Sequence, residues 1–162
     1  MILSQYGLRV LKTAEACVLQ VYLDDAGNLT GGYGHLFAGN SGVKVGDLLT
    51  QAWADSTLAA DSSAAEHAVI EYTPVTVVFN QNQFDAMVIF AFNVGAGGYQ
   101  TFVANHMRLP TWPFDVVRGL PQWDHKSANI NGVMVMEDDK GLMKRRVKEC
   151  SVWCGIPLVT PY

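Results

Sequence analysis

The sequence predicts an α+β domain, mostly helical, with a small β-lobe set against a larger helical lobe. Two short β-like runs flank an Asp25-Ala26-Gly27-Asn28 turn, and seven of the fifteen glycines fall between residues 27 and 46. Helical patterning starts at Thr50 and persists through most of the remaining chain. The composition, 49% hydrophobic and 16% charged, belongs to a chain that buries a core. At 162 residues the chain fits one domain, 1–162, that needs no disulfide staples. The expected layout is an N-terminal helix, a β-containing lobe at about 18–50, a linking helix at about 50–72 and a helical lobe at about 75–160.

Residues 2–17 carry one apolar stripe, Leu3, Tyr6, Val10, Ala14 and Cys17, so a helix is expected there with Glu15 near its C-terminal end. The run Val18 to Asp24 is rich in β-branched and aromatic residues, and Leu29 to Tyr33 returns as its partner. Asn40-Ser41-Gly42 reads as a turn. Thr50 is a natural N-cap for the linking helix, and Pro74 stops it. Asn80 to Val94 is apolar almost all round, which predicts a central buried helix ending at Gly95-Ala96-Gly97-Gly98. Residues 99–126 predict short helical pieces interrupted by Pro110, Pro113 and Pro121, and Asn129-Ile130-Asn131-Gly132 predicts a loop. The last helix spans Gly141 to Trp153, with Leu142, Val147, Cys150 and Trp153 facing inward and Lys144 and Lys148 solvated.

The net charge of −4 is uneven: residues 1–100 carry −6 and residues 101–162 carry +2. No basic face is large enough to neutralise many phosphates, which argues against nucleic-acid binding. An odd count of three cysteines, Cys17, Cys150 and Cys154, fits reduced thiols. His67, His106 and His125 form no ligand pattern with them, so no metal is expected. No unbroken run of 18 apolar residues is present, so no membrane-spanning segment is expected; nor does the N-terminus read as a secretory signal.

The chemistry-bearing residues cluster between 15 and 35. Glu15 and Asp24 are nine residues apart, and Thr30 comes six later. Two carboxylates in different surroundings are the apparatus of glycoside hydrolysis: one keeps its proton for the leaving oxygen, the other stays ionised and handles water. Small apolar neighbours, Ala14, Ala16 and Cys17, predict a dry site for Glu15. Asp24 has Asp25 and a polar turn beside it, and the Thr30 hydroxyl is suited to hold a water.

The full string, Glu-x8-Asp-x5-Thr followed by Gly31-Gly32-Tyr33-Gly34-His35, resembles the phage lysozyme family, glycoside hydrolase family 24. The match covers Glu15, Tyr22, Asp24, Gly27, Thr30, Gly32, Tyr33, Gly34 and His35. It departs at Ala16, where the family usually has Gly, and at Gly31, where it usually has a branched apolar residue. Residues 80–95, Gln122-Trp123 and Gly141 to Arg146 with Glu149 and Trp153 resemble the family's later segments, in order.

The resemblance implies a lysozyme-like fold with two lobes flanking a cleft and cleavage of the β-1,4 bond between N-acetylmuramic acid and N-acetylglucosamine. Glu15 would be the general acid, with Asp24 and Thr30 placing the water. Tyr33, His35 and Asn93 are candidates for substrate contact, with hydrogen-bonding structural roles as the alternative for each. Arg145 or Arg146 is expected to reach Glu15 or a sugar group. No cofactor is implied. The partners are peptidoglycan glycan strands, with a separate holin for export; the protein is expected to be a monomer made in the host cytoplasm and acting on the periplasmic wall. A lytic transglycosylase and a non-catalytic wall-binding protein are the alternatives.

Overall fold

The computed structural model describes residues 1–39, 41–108, 111–130 and 133–156. Helix α1 (Gln5–Ala14) leads into an antiparallel sheet of β1 (Val18–Leu23), β2 (Leu29–Gly32) and β3 (His35–Leu36), in the order β1-β2-β3. Then come α2 (Gln51–Tyr72), α3 (Gln81–His106), α4 (Trp112–Gly119), a 3-10 turn (Leu120–Trp123), the hairpin β4 (His125–Ile130) and β5 (Val133–Asp138), and α5 (Lys140–Trp153).

Helix α3 is the centre. Ala86, Met87, Val88, Ile89 and Phe90 are all fully buried, so no face of this segment is left for solvent. Its start is fixed by a capping box: Asn80 Oδ1 accepts from the Gln83 N–H at 2.9 Å and Gln83 Oε1 accepts from the Asn80 N–H at 3.0 Å. By length and a mean hydropathy of 1.3 this helix would also suit a bilayer, a property the missing unbroken apolar run does not reveal; here the bundle buries half of that window. Gly95 kinks α3 at φ 73°, ψ 171°, and the helix then resumes, burying Tyr99, Phe102 and Val103. The glycines therefore interrupt the helix without ending it.

The Gly95 backbone lies in a region that only glycine occupies readily. A Cβ there would meet nothing within 4 Å, so any cost of substitution is conformational. Gly95→Ala is expected to lose about 1–3 kcal/mol in chemical denaturation. A loss within error of zero would mean that the kink relaxes at no cost.

Helix α1 is shorter than the apolar stripe suggests. Ser4 caps its start, accepting from the Gly7 N–H at 3.0 Å, and the buried Asp85 on α3 takes the Ser4 N–H at 2.9 Å. At the other end Glu15 is already extended, at φ −102°, ψ 139°. Cations from α5 take the carbonyls exposed there: Lys148 Nζ donates to Thr13 O at 2.9 Å and Arg145 Nη2 to Ala14 O at 3.1 Å. Cys17, expected on the buried stripe, is exposed.

The β-lobe is thin. Only Val21 of β1 is buried, against Thr30, Gly31 and Gly32 of β2. The space a side chain at Gly31 would fill is already taken: an added Cβ would meet Leu49 Cδ1 at 2.6 Å and Phe37 Cε2 at 3.2 Å. The departure at Gly31 is thus offset by packing from Leu49 and Phe37. Helix α2 begins as expected, with Thr50 Oγ1 accepting from the Trp53 N–H at 3.1 Å.

Two expectations in the C-terminal region need correction. Asn129 and Ile130 belong to β4, paired with Met134 and Val133, where a loop was expected; Asn131 and Gly132 lie outside the described residues, as does Pro110. On α5, Val147 is exposed, and Arg146 and Glu149 are buried in its place. The inward stripe runs through Arg146, Glu149 and Trp153, so the helical period holds but charged residues occupy part of it.

Candidate active site

Glu15 stands where the helical lobe hands the chain to the sheet. Its N–H still donates to Leu11 O at 3.1 Å, while its φ and ψ are those of a strand. Arg145 Nη1 donates to Glu15 Oε1, and both side chains are mostly covered, 13% and 20% exposed. One guanidinium therefore caps α1 and grips the first residue beyond it. The site is not the dry apolar pocket that the flanking residues predict, because Ala16 and Cys17 are exposed and a cation fills the covered side.

Asp24 closes the first hairpin. Its Oδ1 accepts from the backbone N–H groups of Ala26 at 2.9 Å and Asn28 at 2.8 Å, and its Oδ2 accepts from Asn28 Nδ2 at 3.2 Å. These bonds, the Asn28 N–H foremost, hold the Asp24 carboxyl below the usual carboxylate range, so it is ionised at neutral pH. Asn28, which sequence reasoning treats only as a turn residue, is the main holder of this charge. Thr30 is buried in β2 and donates its hydroxyl proton to Asn28 O at 3.1 Å. Its lone pairs remain available for another donor. Asp24 and Thr30 thus share Asn28 as a neighbour, and each forms its hydrogen bonds inside the hairpin.

Tyr33 and His35 tie the β-lobe to α2. The Tyr33 hydroxyl donates to Asp55 Oδ1 at 3.2 Å and accepts from Gln51 Nε2 at 3.1 Å; Asp55 also pairs with Lys12 of α1 at 2.9 Å. Burial pushes the Tyr33 phenol above its usual range. His35 Nδ1 lies 2.9 Å from Asp61 Oδ2, and its ring meets Phe37 and Trp53 edge-on.

Asn93 sits on α3 just before the kink and accepts from Arg146 Nη2. Arg146 also lies over the Phe90 ring at 4.8 Å, with its Nε 3.3 Å from Glu149 Oε2. Burial pushes the Glu149 carboxyl up to about 8, and burial likewise pulls the Arg146 guanidinium down. The two candidate arginines therefore divide: Arg145 holds Glu15, and Arg146 holds Asn93 from inside the core.

Two cavities flank Leu142. One, of about 520 Å³, is bounded by Ala14, Gly141, Lys144, Arg145 and Lys148. The other, of about 430 Å³, is bounded by Asn93, Gln122, Trp123, His125 and Met136. Asp24 and Thr30 line neither. Lys148, expected to be solvated, is bound to α1, a role with no local signal because its partner is 135 residues away.

Metal-ligating side chains meet at one described place. His125 Nδ1 lies 3.2 Å from Asp124 Oδ1 and 2.9 Å from Asp138 Oδ1, at the base of the second hairpin. Both carboxylates already engage the imidazole, which accounts for the cluster as a pin between strand ends. The cysteines are free, and burial pushes the Cys150 thiol up to about 11.

A small sheet joined by a long helix to a bundle, with an acidic residue at their junction, defines a lysozyme-like fold. The family model for phage lysozyme matches residues 12–149, and the chain belongs to that family. The endolysin of Bacillus phage PZA is 35% identical over 149 residues, 91% of this chain and 53% of that protein. The solved endolysin from Escherichia coli O157:H7 phage FAHEc1 superposes with a TM-score of 0.77 at 30% identity, over 94% of this chain and 93% of the other. The muramidase domain of SpmX from Asticaccaulis excentricus gives 0.78 at 27% identity, over 98% of both. The chain spans between 39% and 64% of the length of four of the curated relatives that it matches.

Proposed function

We propose that this domain is a muramidase that hydrolyses the β-1,4 bond between N-acetylmuramic acid and N-acetylglucosamine in peptidoglycan, in the setting of host-cell lysis. The observation that carries this reading is that a phage lysozyme chain holds two carboxyls in unlike surroundings: Glu15 at the lobe junction in the grip of Arg145, and Asp24 kept ionised by the Asn28 and Ala26 N–H groups. Relatives named endolysin and a structural neighbour named a muramidase support it.

In this mechanism Glu15 is the general acid. Arg145 engages Oε1, which leaves Oε2 to carry the proton to the leaving oxygen. Asp24 orients and activates a water on the opposite face of the sugar, and a Thr30 lone pair steadies that water. Asn93 lines the wall of the groove, positioned from the core by Arg146; Tyr33 and His35 hold the β-lobe at its rim. The protein works as a monomer made in the host cytoplasm, and a holin gives it access to the wall.

Direct displacement by water inverts the anomeric centre, whereas a covalent intermediate retains it. Tracking the new reducing end by proton NMR is therefore expected to show the α anomer first. An initial β anomer would remove Asp24 from its role, and a 1,6-anhydro end would make the enzyme a lytic transglycosylase. Asp24→Asn is expected to lower turnover by about 10²-fold or more with the fold intact. Wild-type turnover in that variant would also reject the assignment.

A further inference from the structure

We propose that His125 is a positioning residue for glycan binding: by clasping Asp124 to Asp138 it holds the hairpin β4–β5 in place as one wall of the groove of about 430 Å³; this rests on the muramidase reading above. β4 and β5 form a sheet of two strands with no third neighbour, and neither packs broadly on a helix. A two-stranded hairpin is marginal in water by itself. Its hold on the bundle is at its open end, where His125 and Asp138 are directly paired.

Three ties meet there. His125 Nδ1 lies 2.9 Å from Asp138 Oδ1 and 3.2 Å from Asp124 Oδ1. The Asp139 N–H donates to Asp124 O at 2.8 Å. Asp124 ends the 3-10 turn and Asp139 caps α5, so the base of the hairpin is joined to both. The two carboxylate oxygens lie within 4.8 Å of each other. Like charges that close repel. Both are acceptors, so Nδ1 carries the hydrogen, and sharing it between them turns the repulsion into a clasp.

The clasp and the groove share one face of the hairpin. Met136 and Asp138 are two residues apart and therefore point to the same side of β5. Met136 lines the groove with Asn93, Gln122, Trp123 and Leu142, and it is 65% exposed. Met136 and Trp123 offer apolar surface, and Asn93 and Gln122 offer side-chain amides, a combination that suits an N-acetylated sugar ring. Asp138 is outside this lining, so any effect of its removal on binding must pass through the hairpin. When the clasp opens, the Met136 wall shifts with the strand end that carries it.

His125→Ala and Asp138→Ala are each expected to raise KM on peptidoglycan glycan strands about fivefold, the size of one solvent-edged ion pair, with kcat unchanged. Combining the two should be no worse than either alone, because both remove the same clasp. Rescue separates holding from touching. His125→Cys with Asp138→Cys places thiols at directly opposed positions, where Cβ atoms are about 4.5–5.5 Å apart, close to what a disulfide spans. Oxidised with glutathione disulfide, this variant should recover the wild-type KM and lose it again on reduction; wild type treated alike controls for the free thiols of Cys17, Cys150 and Cys154. An unchanged KM in both alanine variants, a fall in kcat instead, a link that does not form, or a linked variant whose KM stays raised would overturn the proposal. Glycan strands that the wild type binds without cleaving would instead fault the muramidase reading. Calorimetric titration with those strands reads binding without turnover, and weaker binding by Asp138→Ala would then leave the clasp standing.

Discussion

Glu15→Gln is expected to fold normally and to lose about 10³-fold or more of its wall-degrading rate, the scale on which general acids contribute. Glutamine keeps the length and shape of the side chain. Its amide oxygen still accepts from Arg145 Nη1, and the Arg145 bond to Ala14 O is unaffected, so the end of α1 stays capped. What disappears is a proton that can be given away. The stability cost should be small, about 0.2–1 kcal/mol, because the lost ion pair is partly solvated. Thermal unfolding by circular dichroism and turbidity clearing of peptidoglycan separate the two effects. Clearing at the native rate would remove Glu15 from the chemistry. Arg145→Lys makes a useful companion: it keeps the charge but loses the fork that holds Glu15 and Ala14 together, and should slow turnover without abolishing it.

The parts legible in the sequence are those made by neighbours in the chain. The Thr50 cap, the start of α3 at Asn80 and the hairpin from Val18 to Gly32 need only local hydrogen bonds and local periodicity. What could not be read was set from a distance. Helix α1 ends at Ala14 because Arg145 and Lys148 arrive from 131 and 135 residues away to take its last carbonyls. Helix α3 resumes after Gly95 because Tyr99 and Phe102 find a core to enter. The second hairpin straddles an Asn-Gly pair that can mark either a loop or a tight turn; the pairing of His125 to Ile130 with Val133 to Asp138 decides for the strands. Glu15, Asp24 and Thr30 stand out as a pattern, but Asn28's hold on Asp24 emerges only when the hairpin closes.

Arg146→Met is expected to be the most damaging of these substitutions to stability. Arg146 and Glu149 are 1% and 0% exposed. Removing the guanidinium leaves the Glu149 carboxyl buried without a counter-charge and takes the donor from Asn93 Oδ1. Breaking one side of a buried pair typically costs about 3–5 kcal/mol where the remaining group is ionised, and about 1–3 kcal/mol where it is a neutral group left without a hydrogen-bond partner. The cost should depend on pH. In the wild type, burial pushes Glu149 up to about 8 from its ordinary 4.5, with Arg146 pulling the other way. Between those values the unfolded chain has released the proton that the folded chain keeps, so this group's contribution to stability falls as pH rises. Without Arg146 that opposing pull is gone, and the folded carboxyl must stay neutral to still higher pH. Denaturant titrations at pH 5 and pH 8 should therefore show a larger loss at pH 8. The double variant Arg146→Met with Glu149→Leu removes the buried carboxyl together with its partner and should recover most of the loss at both values. If the single variant loses the same amount at both pH values, or the double variant is no better than the single, then Arg146 stabilises the core through packing against Phe90 and its bond to Asn93, and the pairing with Glu149 is incidental.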